Sequence, residues 1–396
     1  MAAEPPPSSF SYRTTGSTCL HPLSQLLGIP LDQVNFVACQ LFALCAAFWF
    51  RIYLTPCKTS SKVRHAFATL LGIYFSIFCF GWYSIHLFVL VLMCYGIMVT
   101  ASISNVHRFS FFVAMGYLTI CHISRIYIFH YGILTTDFSG PLMIVTQKIT
   151  TLAFQVHDGS AGRAEDLSAE QRRLAVKVKP TFLEYLSYLL NFMSVIAGPC
   201  NNFNDYVAFI EGRHVRMKLL EVNWKQNTSC SFPEPSPTTA TSFKMYLANW
   251  NIQTAAWLKC VCYERVPWYP TVLTFILSAL WHGVYPGYYF TFLTGVLVTL
   301  AARAVRNNCR HYFLSSRAAK GIYDVVTWAV TQLAVSYTVA PFILLAVEPT
   351  ISLYRSMYFY LHIISLLIIL FLPAKPQAHI QRQPQTLNSR NKEKTY

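Results

Sequence analysis

The sequence predicts an all-α fold: a polytopic bundle of membrane helices around a central chamber, with roughly eight to ten spans or broken spans of bilayer length. Two observations carry this reading. Hydrophobic residues fill 54% of the 396 positions and charged residues only 12%, with a mean hydropathy of +0.38. A soluble globular domain carries about 25% charged residues. In addition, apolar runs recur along the chain at the roughly 20-residue length that a helix needs to cross a bilayer. The chain divides into a polar N-terminal segment at 1–32, a membrane domain at 33–373 and a basic tail at 374–396.

Residues before Gln33 are rich in Pro and Ser and lack an apolar core, so no cleavable signal peptide is expected. The first span then serves as the targeting signal. Spans are expected near Val34–Tyr53, Ala66–Trp82, Ile85–Ile103 and Phe109–Phe129. A weaker one covers Pro141–Val156, short and interrupted by Lys148. Glu165–Lys179 reads as an amphipathic surface helix. Leu167, Leu174, Ala175 and Val178 share one face, and acids precede bases as the helix macrodipole favours. A further span is expected at Phe182–Gly198, after which Asn201–Thr239 is polar, Pro-rich and reads as loop. Later spans fall near Thr271–His282, Gly287–Ala302, Val325–Val347 and Tyr358–Leu372. The last two are joined by a short loop, Glu348–Met357.

The net charge of +15 is spread over the loops. Arg51, Lys58, Lys62 and Arg64 follow the first span. Arg303, Arg306, Arg310, Arg317 and Lys320 lie between two late spans, and Lys375, Arg382, Arg390, Lys392 and Lys394 fill the tail. Basic residues concentrate on the cytosolic side of membrane proteins, which places 303–320 and the C-terminus in the cytosol and 348–357 outside it. These charges read as topology signals and solvated surface, and no nucleic-acid partner is expected. The Asn227-Thr228-Ser229 sequon lies beside Arg213, Arg216, Lys218 and Lys225, which favour the cytosol, where it stays unmodified.

Twelve scattered cysteines do not form a disulfide framework. Cys260-Val261-Cys262 has no second pair or nearby His to complete a metal site, and His122 and His130 are not joined by the tight histidine cluster of a di-iron enzyme. No metal is expected.

One residue stands apart. His282 sits in the apolar stretch that begins at Thr271, and Gly283, Pro286 and Gly287 break the helix just after it. An ionisable group at membrane depth is costly and usually faces a cavity, and broken helices persist there only inside protein or along a cavity. Asn251, 31 residues earlier, can face the same chamber from a second element. A neutral imidazole can take a proton from an alcohol, and an amide can donate to a carbonyl oxygen becoming an oxyanion. The pair suits acyl transfer to a hydroxyl without a covalent intermediate, and no Gly-x-Ser-x-Gly elbow argues for an acyl-serine route. Other readings of the same residues remain open. His282 can be a satisfied interhelical hydrogen bond, Asn251 a helix cap, or the two can form a transporter or receptor site.

The run Trp281-His282-Gly283-Val284-Tyr285-Pro286-Gly287-Tyr288-Tyr289, preceded by Trp250-Asn251-Ile252-Gln253-Thr254, resembles the signature of the membrane-bound O-acyltransferases. Phe192-Met193-Ser194-Val195-Ile196-Ala197-Gly198-Pro199-Cys200-Asn201-Asn202-Phe203 resembles the family's other recurrent segment. The Tyr-Pro-Gly-Tyr-Tyr version is similar to the lysophospholipid acyltransferase branch. The resemblance implies catalytic roles for His282 and Asn251, substrate contacts at Trp281, Tyr285 and Trp250, and no cofactor or metal. Acyl-CoA is the implied co-substrate. A lysophospholipid, with ethanolamine or serine head groups favoured, is the acceptor, and it enters from the surrounding membrane lipids. Lys244, Lys259 and Arg265 are candidates for the CoA phosphates. The implied location is the endoplasmic-reticulum membrane. The ending Lys392-Glu393-Lys394-Thr395-Tyr396 matches a dilysine retrieval pattern, which works only from a cytosolic tail.

The chain departs from the family in one respect. In the relatives a long stretch with hydrophobic segments separates the Pro233–Pro237 loop from Thr241-Ser242-Phe243-Lys244-Met245-Tyr246, and here the two nearly adjoin. An internal deletion near 238–241 is expected. A form that keeps both candidate catalytic residues yet lacks activity is the alternative reading.

Overall fold

The computed structural model describes residues 15–128, 138–160, 167–213, 243–314 and 316–372, and among them no strand occurs. The expected deletion junction, the Asn227 sequon, His130 and the dilysine tail lie outside the described residues. The N-terminal half runs α1 (His21–Leu27), α2 (Leu31–Tyr53), α3 (Ser61–Phe80), α4 (Ile85–Thr100), α5 (Val106–Ile128) and α6 (Ser139–Ser160), then three short helices. These are α7 (Ala169–Leu174), α8 (Phe182–Leu190) and α9 (Phe203–Ile210). The C-terminal half has α10 (Phe243–Trp250), α11 (Ile252–Leu258) with a π turn at Lys259–Tyr263, α12 (Pro270–His282) and α13 (Pro286–Cys309). It ends with α14 (Arg317–Leu344), α15 (Val347–Ser356) and α16 (Tyr360–Phe371).

Among the described residues five helical runs are long and apolar enough to cross a membrane, or six if the bent pair α15–α16 counts as one broken span. That is fewer than the eight to ten expected, for four physical reasons. The expected spans at 66–82 and 85–103 form a single run of 40 residues, Ser61–Thr100, with one 3-10 turn at Gly81–Ser84. The apolar stretch Phe182–Gly198 is not a span. It is the nine-residue α8 followed by turns, and its apolar residues Tyr188, Leu189, Phe192 and Val195 are buried in protein. α12 has only 13 residues, too short to cross. α6, the fourth case, is surrounded by the fold: 16 of its 22 residues are buried, so its helix faces protein on all sides.

Three further expectations are corrected. The amphipathic helix of Glu165–Lys179 shrinks to α7, capped by a reciprocal Ser168–Gln171 box, and Val178 is exposed in the extended chain beyond it. Within the expected loop Asn201–Thr239, Phe203–Ile210 is helical and packs Phe203, Tyr206 and Ile210 inside. The expected loop Glu348–Met357 is mostly the helix α15, which meets α16 at a 73° bend.

Two apolar cores organise these elements. The larger joins α2–α6, α8 and α9 and reaches Trp257 and Trp281 of the C-terminal half. The smaller joins α10 and α13–α16 around Tyr246, Val298, Tyr337 and Tyr354. Lys148, the interruption in the weak span, has a structural place. Its ammonium donates to Tyr188 O (3.1 Å) and Ser194 Oγ (2.6 Å), tying α6 to the turn after α8. That turn is part of the segment Phe192–Phe203 singled out in the sequence.

Candidate active site

α12 ends at His282 because Gly283 follows it at φ +142°, a backbone state that a side chain resists. Pro286 then opens α13, where its missing N–H leaves no donor unsatisfied. The break is held from the far side of the fold. Gly287 N–H donates to Leu345 O (2.8 Å), and a Cβ on Gly287 would overlap the Pro341 carbonyl of α14. His282 therefore sits on a fixed helix end. Its ring stacks on Phe292 (5.3 Å between centroids) and meets Phe342 edge-on (5.0 Å). Among the described residues its ring nitrogens have no hydrogen-bond partner.

The residue before it, Trp281, anchors the same helix end. Its indole N–H donates to Met143 O on α6 (3.1 Å), and its ring packs on Trp257 at 5.6 Å. His122 of α5, itself buried, donates from Nε2 to the Trp281 carbonyl (3.2 Å).

Asn251 is the N-cap of α11. Its Oδ1 accepts from Thr254 N–H at 3.1 Å, which satisfies one of the orphan donors of the first turn. The cap reading raised from the sequence thus holds, and it does not exhaust the side chain. With Oδ1 committed, Nδ2 remains as an N–H donor. Thr254 is in turn held by Gln147 of α6, whose Nε2 donates to Thr254 Oγ1 (2.9 Å).

His282 and Asn251 line the same cavity, of about 400 Å³, from different elements. This volume falls in the ordinary range for ligand sites. Most of its wall is apolar, including Phe243, Phe275, Val335 and Phe342, and Lys259 is the only charged side chain on it among the described residues. Three wall hydroxyls are already engaged: Thr254 by Gln147, Thr274 by Pro270 O (2.6 Å) and Thr338 by Ala334 O (2.7 Å). The Thr291 hydroxyl is buried and has no partner among the described residues.

The other sequence-derived candidates divide. Trp250 lines the chamber, stacked on Tyr246 at 5.5 Å. Trp281 and Tyr285 do not line it. Trp281 faces α6, and the buried Tyr285 packs edge-on against Tyr288. Lys259 lies on the chamber wall but is ion-paired with Glu170 (2.9 Å) and Glu264 (3.5 Å). The bond to Glu170 raises its pKa above the usual lysine value. Arg265 is committed to Asp158 of α6 through two bonds, 2.9 and 2.6 Å. Both cations are thus already balanced by carboxylates, and the side chain of Lys244 lies outside the described residues. Sequence reasoning missed Gln147, Thr254, His122, Phe292 and Phe342. Gln147 left a signal as a polar residue next to Lys148 in an apolar run, and His122 left one as an ionisable residue in an apolar span, which the sequence reading tests only as a metal ligand.

The fold and the chamber define an integral-membrane protein that brings a histidine, at the break of one short apolar helix, and an amide, at the start of another, onto one apolar chamber. A profile of the membrane-bound O-acyltransferase family, MBOAT, matches residues 222–342, which include both Asn251 and His282. The chain is 69% identical over 494 aligned positions to membrane-bound glycerophospholipid O-acyltransferase 1 of Homo sapiens, covering 100% of both chains. It is 44% identical to membrane-bound glycerophospholipid O-acyltransferase 2 of Gallus gallus, over 94% of this chain and 91% of that one. With lysophospholipid acyltransferase 6 of Drosophila melanogaster the identity is 34%, over 93% of this chain and 65% of the relative. The chain belongs to the membrane-bound O-acyltransferase family. The alignment with the human relative has 494 positions against 396 residues here, so the chain is shorter, as an internal deletion requires.

Proposed function

We propose that this chain is an acyl-CoA:lysophospholipid O-acyltransferase of phospholipid remodelling. It moves a fatty acyl group from acyl-CoA to the free hydroxyl of a lysophospholipid, with lysophosphatidylethanolamine or lysophosphatidylserine favoured. The observation that carries this reading is the pairing of His282 and Asn251 on one apolar chamber. Such a chamber suits an acyl chain, and the His282 and Asn251 side chains match what the reaction needs.

In this mechanism a ring nitrogen of His282 takes the proton from the acceptor hydroxyl as the oxygen attacks the thioester carbonyl. The C–O bond forms, and the carbonyl π pair moves onto oxygen, where Asn251 Nδ2 donates to it. Collapse of the tetrahedral intermediate breaks the C–S bond. The departing CoA thiolate takes the proton back from the imidazolium, which returns His282 to its neutral state. Trp250 and the aromatic wall hold the acyl chain. Lys259 reaches the CoA phosphates only by exchanging its carboxylate partners, and Arg265 serves the fold through Asp158. The protein works in the endoplasmic-reticulum membrane with its C-terminus in the cytosol, a placement supported by the charge bias and the dilysine ending.

The test is His282→Ala, assayed with a long-chain acyl-CoA and lysophosphatidylethanolamine. Turnover should fall by about 10²–10⁴-fold or more, the usual share of a general base. Membrane insertion should persist. Unchanged turnover sinks the assignment. The same substitution in a chain with the missing segment restored covers the case in which the deletion alone abolishes activity.

A further inference from the structure

α6 meets the two candidate catalytic elements along one of its own faces. Met143, Gln147 and Thr150 are spaced i, i+4 and i+7, so they lie on one stripe of the helix. Met143 O accepts from Trp281 Nε1 (3.1 Å), next to His282. Gln147 Nε2 donates to Thr254 Oγ1 (2.9 Å), in the first turn that Asn251 caps. Thr150 Oγ1 accepts from Trp257 Nε1 (2.8 Å), one turn further along α11. The stripe thus registers the histidine element and the asparagine element against a single helix buried on all sides. Gln147 is 3% exposed, and an amide there has no solvent to bind.

We infer that Gln147 is a positioning residue for Asn251, and that α6 sets the separation between the asparagine and His282. The inference rests on the catalytic reading of Asn251 given above. The link runs through Thr254, whose side chain accepts from Gln147 and whose backbone N–H holds Asn251 Oδ1. Fixing Thr254 fixes the orientation of the carboxamide and hence the direction in which Nδ2 donates. A donor aimed at a developing oxyanion must hold its geometry closely, so loosening it lowers turnover rather than substrate binding.

The experiment compares Gln147→Leu, Asn251→Ala and the double variant in the purified full chain, with a long-chain acyl-CoA and lysophosphatidylethanolamine. Gln147→Leu should lower kcat by about tenfold while KM for acyl-CoA stays within about twofold, the pattern of a contact felt in the transition state. In the Asn251→Ala background it should add no further loss. Deuterium exchange supplies a readout that needs no turnover. Amides of 252–258 should exchange about fivefold faster in Gln147→Leu, the effect of one lost hydrogen bond, while those of 270–282 stay protected. Thr254→Val removes the same bond from the other side and should behave alike, so a poorly folding Gln147→Leu does not block the test. An unchanged exchange rate at 252–258 overturns the inference, as does an equal loss of kcat in the Asn251→Ala background. If Asn251→Ala itself turns over normally, the catalytic reading fails, and the exchange result still decides whether Gln147 orders this turn.

Discussion

The proposed mechanism gives Asn251 two tasks that a single substitution can separate. Its Oδ1 caps α11 through Thr254 N–H, and its Nδ2 is the proposed donor to the oxyanion in the chamber that the residue lines. Aspartate caps a helix as well as asparagine does, but as a carboxylate it has no N–H to give. In Asn251→Asp the cap therefore survives, and stability should stay within about 0.5 kcal/mol of the parent. Turnover should fall by about 10²–10³-fold, the loss measured when one oxyanion donor is removed, or about 3–4 kcal/mol. The added negative charge beside a developing oxyanion pushes in the same direction. Asn251→Ala removes both tasks. It should lose similar turnover and also about 1 kcal/mol of stability from the missing cap.

The assay pairs thermal unfolding in detergent with acyl transfer at saturating acyl-CoA. Expected is a split, with Asp stable and inactive, and Ala less stable and inactive. Near-normal turnover in Asn251→Asp would refute the donor role and leave Asn251 a cap alone. A raised KM with normal kcat in both variants would reassign the residue to substrate positioning.

Other outcomes follow from the same structure. Asp158→Ala leaves the largely buried Arg265 guanidinium without its carboxylate, and breaking such a pair costs about 3–5 kcal/mol, so the thermal midpoint should drop sharply. Retention of the parental midpoint in that variant would show the pair to be dispensable. Replacing Lys392 and Lys394 by Ser should let part of the protein reach the Golgi or cell surface, as read by immunofluorescence. A C-terminal epitope accessible only after permeabilising the endoplasmic-reticulum membrane would contradict both the signal and the topology.

The sequence made some of this legible, and the reasons are specific. α2 begins three residues before its expected start and ends where expected, because Leu31–Tyr53 is a largely apolar run of which little is buried inside the protein. His282 stood out because an ionisable group in an apolar, broken helix has few inexpensive explanations. Hydropathy misread Phe182–Gly198, since an apolar stretch buried as turns inside protein has the same composition as one facing lipid. It also misread α6 as a weak span. Thr146, Gln147, Lys148 and Gln155 interrupt its apolar pattern because they are buried polar groups of a helix packed inside the protein. Trp281 and Tyr285 sit in the motif beside His282, but adjacent residues on a helix end point in different directions, and neither reaches the chamber. The contacts that hold the site together join α6 to residues more than 100 positions later, a separation that no local pattern reports.

That long-range assembly bears on what the deletion does. The expected junction near 238–241 lies between α6 and every element of the chamber. The bonds that fix Asn251 and His282 against α6 nevertheless span it: Gln147 to Thr254, Thr150 to Trp257, Met143 to Trp281 and Asp158 to Arg265. The shorter chain therefore keeps both candidate catalytic groups registered, and on the proposed reading the missing segment belonged to the chamber wall. α10 begins just after the expected junction, and Trp250 at its end is 63% exposed although it lines the chamber. An opened wall admits water and lipid to a site where acyl transfer depends on excluding water. The shortened chain should accordingly be less stable and transfer much less acyl group to lysophospholipid than a chain with the segment restored. It should also hydrolyse a larger fraction of the acyl-CoA it consumes, because water then competes with the acceptor hydroxyl for the same thioester. Measuring transfer and hydrolysis side by side in matched membranes tests this. Equal specific activity and an equal transfer-to-hydrolysis ratio in the two chains would show that the missing segment takes no part in closing the chamber.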